Sequence, residues 1–211
     1  MKVAYKHLIS YIPSKPNIDE ISERFFQLGH EHVIEDEIFD MELTPNRGDC
    51  LSVRGIARDL AAAGLGTLKE NARIKSIPGT FESPIKWEKE FSGDEEYLCP
   101  GVAGRYFKNV TNKESPLWLQ LRLKAIGLRP ISALVDITNY ITYDLGRPLH
   151  VYAADKIDGN LIMRFAKKNE TCLTLDEEKR ECTSDMIVIS DNKQLHGIGG
   201  VMGGLDSGCS L

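Results

Sequence analysis

Three scarcities narrow this 211-residue sequence before any motif is read. Long apolar runs come first. No window of about 20 uncharged apolar residues occurs, the length a membrane-spanning helix requires. The apolar start of the chain is already broken by Lys6 and His7, so neither a span nor an export signal is expected and the sequence reads as cytoplasmic. Cysteines spaced as pairs are missing too. Cys50, Cys99, Cys172, Cys182 and Cys209 form an odd set without a C-x-x-C, which suits a reducing compartment better than a disulfide framework and provides no zinc site. Positive charge is in deficit as well: 26 Lys and Arg against 31 Asp and Glu leave a net charge of −5, an unpromising balance for a nucleic-acid binder. What remains is a 42% hydrophobic chain whose length suits a globular protein of one or two domains.

The distribution of charge says more than its sum. Across residues 105–129 six basic side chains (Arg105, Lys108, Lys113, Arg122, Lys124, Arg129) meet one acid, Glu114. Two readings fit this stretch: a face that meets RNA phosphate, with Arg122, Lys124 and Arg129 as the contacts, or an ordinary solvated surface of helix and strand.

The N-terminal third alternates helical and extended signals. Asn17 followed by Glu20 has the form of a capping box, and Ile18, Ile21, Phe25 and Leu28 follow at helical spacing until Gly29. Residues 30–41 read as an extended segment leading to a Pro-Asn-Gly turn at 45–48. His30 and His32 lie two apart on it; without a third ligand nearby they read as a surface pair rather than a metal site. Asp49 is the expected cap of a second helix with apolar positions Val53, Ile56, Ala57, Leu60 and Ala61. Residues 71–93 mix Pro, Gly, Ser and charge without a period, placing a domain boundary there. Residues 102–110 read as a strand, Pro116 opens a helix that Gly127 ends, and short β segments dominate beyond residue 160.

The densest concentration of chemistry is RPISALVDITNYITYDLGRPLH, residues 129–150. Leu134, Ile137, Ile141 and Leu145 recur at helical steps, predicting a helix that packs on its apolar side and presents Asp136, Thr138, Asn139 and Tyr140 on the other. Gly146 can end that helix, and Pro148 forces the residue before it out of the helical region, so His150 arrives on a stiff, placed segment. A lone histidine is more often structural than catalytic. Farther on, the glycine-rich run 197–204 lacks the Lys-Ser/Thr of a phosphate loop. It fits either tight turns or a wall whose missing side chains leave room for an aromatic ring.

Three motifs in order carry a family resemblance: TPNRGDCLSVRGIARDLAA at 44–62, the 129–150 stretch, and GVMGG at 200–204. Together they resemble the β subunit of bacterial phenylalanyl-tRNA synthetase, in its N-terminal part. The resemblance implies an α+β fold: a small N-terminal α/β domain at residues 1–80, lacking the oligonucleotide-binding barrel usually inserted there, then a B3/B4-like editing domain at 81–211 that is incomplete at its C-terminal side. It implies hydrolysis of mischarged tyrosyl-tRNA(Phe), with His150, Asn139 and Thr138 holding the ester and its water, and Pro148, Gly203 and Gly204 shaping the substrate wall. It implies the α subunit, an α2β2 assembly and tRNA(Phe) as partners. ATP and Mg²⁺ serve the full synthetase and fall largely on the α subunit, so this chain holds no cofactor and is not expected to charge tRNA alone. Other readings are a non-catalytic assembly or RNA-docking module and a free-standing deacylase. Ser132-Ala133 stands where the family often has paired asparagines, and the glutamate that recognises the tyrosine hydroxyl in the family lies beyond the stretch that this chain matches.

Overall fold

A computed structural model describes residues 1–70 and 76–209. Part of the boundary read at 71–93 therefore lies outside the described residues. Mixed helix and sheet make this an α+β chain, and it divides into two compact units, each built from two chain segments.

Unit 1 comprises Met1–Ser76 and Lys113–Leu149. Its three-stranded antiparallel sheet is formed by β1 (Lys2–Ala4), β2 (Glu31–Glu35) and β3 (Ile38–Glu42), with β3 central and Val3 opposite Phe39. The segment at 30–41, expected to be continuous, is a hairpin: Asp36 and Glu37 both take positive φ and turn the chain between β2 and β3. Helix α1 (Tyr5–Leu8) follows β1 directly. Helix α2 (Ile18–Leu28) begins as the sequence indicates, with Asn17 Oδ1 accepting from the Glu20 amide at 2.9 Å and the Glu20 carboxylate accepting from the Asn17 amide at 2.7 Å.

The expected cap of the next helix moves. Helix α3 (Val53–Ala62) is capped by Ser52, whose Oγ accepts from the Gly55 amide at 2.9 Å. Asp49 lies in the preceding turn and is held by Arg47 and Arg58 instead, because two guanidinium groups outcompete one amide for its carboxylate. Val3, Leu8, Ile12, Ile21, Phe25, Phe39, Met41, Ile56 and Leu60 close a core without solvent contact, in which the Phe25 and Phe39 rings meet edge to face at 5.2 Å.

The C-terminal segment of unit 1 supplies α4 (Leu117–Ala125) and α5 (Ala133–Leu145). Here the apolar-side expectation is overturned. The fully buried side chains of α5 are Asp136 and Asp144, whereas Ile137 is 48% and Leu145 39% exposed. Each carboxylate is buried because it is satisfied: Asp136 accepts from Ser115 Oγ and the Ile131 amide, Asp144 from His7 and Tyr11. These bonds also explain why the single boundary after residue 80 gives way to a discontinuous division, since Asp144 ties α5 to the first turn of the chain.

Unit 2 comprises Ile77–Asn112 and His150–Leu211. Its main sheet runs β10-β9-β8-β5-β4, from β4 (Trp87–Glu90), β5 (Leu161–Phe165), β8 (Ile187–Ser190), β9 (Leu195–Ile198) and β10 (Met202–Gly203). β4 and β5 are parallel and the other pairs antiparallel. Parallel neighbours require a long connection, and this one carries the chain through the whole of the α4–α5 segment. A separate hairpin joins β6 (Glu170–Leu173) and β7 (Lys179–Cys182). The buried core is small: Ala166, Cys172, Cys182, Val188 and Leu195. Residues 102–110, expected as a strand, have no regular structure. They pass so close to Trp87 that a side chain at Gly104 would strike the indole, which leaves no room for a ladder of alternating side chains.

Candidate functional site

Gly146 terminates α5 in the left-handed conformation at φ 69°, where a Cβ would be strained, and the chain leaves unit 1 at Leu149. His150 is the first residue of the second segment of unit 2. The Cε1 edge of its ring faces Gly203: a Cβ at that glycine would collide with Cε1 and stand 2.9 Å from Nε2 and 3.1 Å from Nδ1. The space left by the missing side chain thus exists, and the aromatic ring in it is His150's own. Across Val151, Tyr152 packs on the imidazole with ring centroids 4.4 Å apart and planes at 62°. Trp87 and His196 each meet Tyr152 edge to face at 6.3 Å.

The electrostatics of this cluster are simple. His150 is exposed on one side, and loss of water from the side facing Gly203 pushes its pKa below the ordinary 6.5. At neutral pH the imidazole is therefore uncharged and available to accept a proton. Burial likewise pushes the Tyr152 hydroxyl up to about 12, so it keeps its proton. Burial is the sole cause in both cases; among the described residues no charge and no hydrogen bond engages either group. The glycine-rich backbone, in contrast, is engaged: the Gly199 amide donates to Ile187 O at 2.8 Å, Val201 to Ile198 O at 3.1 Å and Gly204 to His196 O at 2.7 Å, while Gly203 O accepts from Leu175 at 3.0 Å.

Behind it, His196 is fully buried with Nε2 2.7 Å from Asp191 Oδ2, close in distance but not aligned as a hydrogen bond. Burial raises the Asp191 carboxyl, and amides of Asp158, Gln194 and Lys193 together with His196 outweigh it, holding the group at about 2.

The structure brings together His150, Gly203 and Gly204 in unit 2. Thr138, Asn139 and Pro148 belong to unit 1. The Thr138 hydroxyl donates to Val135 O at 2.7 Å within α5, Asn139 is half-buried on the same helix, and Pro148 is exposed after it. Of the basic candidates, Lys124 and Arg129 are exposed, whereas Arg122 is half-buried and donates to Tyr140 Oη at 2.6 Å beside the Trp118 ring. Sequence reasoning missed Tyr152 and Trp87. The available signal was the aromatic two positions after His150; nothing in the sequence marked Trp87 as its neighbour.

The histidines of unit 1 are engaged in structure. His30 is buried against Asp59 at 2.7 Å rather than paired on the surface with His32, which bonds Ser22 Oγ at 2.8 Å. With Cys50, His30 and Asp59 form a group of metal-ligand spacing among the described residues. Arg47 already fills it, donating to Cys50 Sγ at 2.8 Å and Asp59 Oδ1 at 2.9 Å. Burial and the nearby Asp59 push the Cys50 thiol up to about 11, far from the thiolate that metal binding needs. Concavities of about 310 Å³ beside His7 and Arg122 and about 300 Å³ beside Arg164 and Asp191 also exist. Neither includes His150; His7 and Arg122 are engaged by Asp144 and Tyr140, and Arg164 by Glu170.

Sequence comparison defines the class. Residues 98–211 match the model of the B3/4 domain, and the chain belongs to that family. The match spans both structural units. Over most of its length the chain is similar to proteins named phenylalanine–tRNA ligase beta subunit: 53% identical over 176 residues to that of Mesorhizobium japonicum, covering 83% of this chain and 21% of the relative. It is 52% identical over 176 residues to that of Brucella abortus, covering 83% and 22%. The chain therefore spans about a fifth of the length of the curated relatives it matches. A crystal structure of an N-terminal fragment of the phenylalanyl-tRNA synthetase beta subunit from Pyrococcus horikoshii aligns over 100% of this chain and 64% of its own, at 15% identity and TM-score 0.48. Among the described residues no helix is long and apolar enough to cross a membrane.

Proposed function

We propose that this chain acts as part of a phenylalanine–tRNA ligase β subunit and that unit 2 hydrolyses tyrosine wrongly esterified to tRNA(Phe). The observation that carries this reading is an uncharged, unengaged imidazole, His150, set against Gly203 inside a B3/4-family segment. The chemical need is clear. A pocket built for phenylalanine rejects one added hydroxyl poorly, so accuracy requires a second, hydrolytic site. Water is the nucleophile, His150 Nε2 or Nδ1 takes its proton, and the same imidazolium returns it to the ribose oxygen when the ester bond breaks. The α subunit and tRNA(Phe) are the implied partners, with ATP and Mg²⁺ serving aminoacylation on the α subunit. Lys124 and Arg129, exposed and basic, are the charges offered to phosphate, with Arg122 half-buried beside them.

The test is deacylation of preformed tyrosyl-tRNA(Phe) and phenylalanyl-tRNA(Phe). Release of tyrosine is expected to be the faster, and His150→Ala is expected to slow it by about 10- to 100-fold, the scale of losing one proton-transferring group, with an unshifted melt. Hydrolysis no faster than in buffer sinks the proposal, as does a His150→Ala protein that melts lower but hydrolyses normally per folded molecule. The rate should persist below the ordinary imidazole pKa and then fall as acid protonates His150, since burial lowers that pKa.

A further inference from the structure

We propose that Tyr152 is a second catalytic residue of this site, its hydroxyl donating a hydrogen bond to the ester carbonyl oxygen as that oxygen takes on negative charge. The inference rests on the hydrolytic reading of unit 2 and adds to it the group that stabilises the oxyanion. Ester hydrolysis needs such a donor, and it is often the largest single contribution to the rate.

A side chain beside His150 offers such a donor. In many acyl-transfer sites the donors are backbone amides of a glycine-rich turn, but here the amides of Gly199, Val201 and Gly204 are already engaged with Ile187, Ile198 and His196. Tyr152 is positioned for the task. Its ring is 4.4 Å from that of His150, which puts the phenol beside the candidate base, and the rings of Trp87 and His196 also pack on it. A group held by packing needs little reorganisation as charge develops. Tyr152 is half-buried and its hydroxyl has no hydrogen-bond partner among the described residues, so its proton is free for a substrate oxygen. Tyr11 in unit 1 shows the opposite case, donating to Asp144 at 2.8 Å.

The step balances as follows. Water oxygen attacks the carbonyl carbon while His150 accepts one water proton, and the carbonyl oxygen becomes an oxyanion bound by the Tyr152 O–H. Collapse breaks the bond to the ribose oxygen, which takes the proton from the imidazolium. Free amino acid and tRNA with its terminal hydroxyl leave, and Tyr152 ends with the proton it began with.

Tyr152→Phe tests this, because it preserves the ring contacts with His150, Trp87 and His196 and removes the oxygen alone. With tyrosyl-tRNA(Phe) as substrate, kcat per folded molecule is expected to fall about 10- to 100-fold, with KM within about twofold and the acid limb of the pH profile, set by His150, unmoved. Tyr152→Met, also lacking the hydroxyl, is expected to lose at least as much, and it decides the matter if the Phe variant folds poorly. Wild-type kcat in Tyr152→Phe overturns the inference while leaving the hydrolytic reading intact. A loss confined to KM, or a displaced acid limb, overturns it too, because then the phenol serves binding or the tuning of His150. Wild-type protein without hydrolysis removes both the reading and the inference.

Discussion

Unit 1 and unit 2 use the same residue types to opposite ends. In unit 1, His7 stacks on Tyr140 with centroids 5.6 Å apart and bonds Asp144 at 2.7 Å, and Tyr11 bonds the other oxygen of that carboxylate at 2.8 Å. In unit 2, His150 and Tyr152 are packed against each other as closely, yet among the described residues neither polar end meets a carboxylate or an amide. The apolar cores differ in the same sense. Among the described residues, unit 1 gathers Phe25, Phe39 and ten other buried apolar residues in one cluster; the cluster of unit 2 has five small or medium ones. A histidine–tyrosine pair becomes scaffold when a carboxylate completes it, and a candidate site when it is left unfinished on a glycine wall.

The largest expected effect breaks the scaffold side of this contrast. Phe25→Ala should destabilise unit 1 by about 3–5 kcal/mol, because Phe25 is without solvent contact and its neighbours on α2 and β3 cannot collapse into the space. Chemical denaturation followed by the unit 1 signal measures it, and a loss below about 1 kcal/mol would mean that the cluster is not a close-packed core. Asp144→Asn is next, at about 2 kcal/mol, since the amide can no longer accept two hydrogen bonds with full charge from His7 and Tyr11. The matching change in unit 2, His150→Ala, should leave the melt where it was; equal shifts for both variants would erase the distinction between engaged and unengaged imidazoles.

The smallest effect sharpens the comparison within unit 2. Its own buried carboxylate, Asp191, has a folded-state pKa lowered to about 2 from 3.8. A depressed carboxyl contributes stability above its unfolded pKa and loses it as pH falls. Unit 2 should therefore weaken by up to about 2 kcal/mol between pH 4 and pH 2, and Asp191→Asn should flatten that limb of the stability curve. An acid limb as steep in the variant as in the wild type would show that other carboxylates set it.

Much of the fold was legible wherever a local rule decided it. Asn17 with Glu20 started α2, Gly146 ended α5, and short strands do dominate after residue 160. Local rules failed where a distant residue competed. Asp49 was free to cap α3 until Arg47 and Arg58 claimed it, residues 102–110 had a strand-like composition until Trp87 took the adjacent space, and the apolar stripe of α5 gave way to two buried aspartates. Each reversal is a tertiary partner outcompeting a neighbour in sequence.

The candidate site divides along the same line. By itself the sequence determined that His150 would follow a helix stop on a stiff segment and that a glycine-rich run lay some fifty residues on, because Gly146, Pro148 and glycine act through their own backbone geometry. Only the tertiary structure decided that Gly203 lies against the edge of the imidazole, that the amides of Gly199, Val201 and Gly204 are already engaged, and that Tyr152 packs with Trp87, His150 and His196 with its hydroxyl unengaged among the described residues. Those facts depend on strand order, which sets β10 beside β9 and β4 beside β5 and brings residues 44 to 65 positions apart into contact, and no local pattern encodes which strand will be the neighbour.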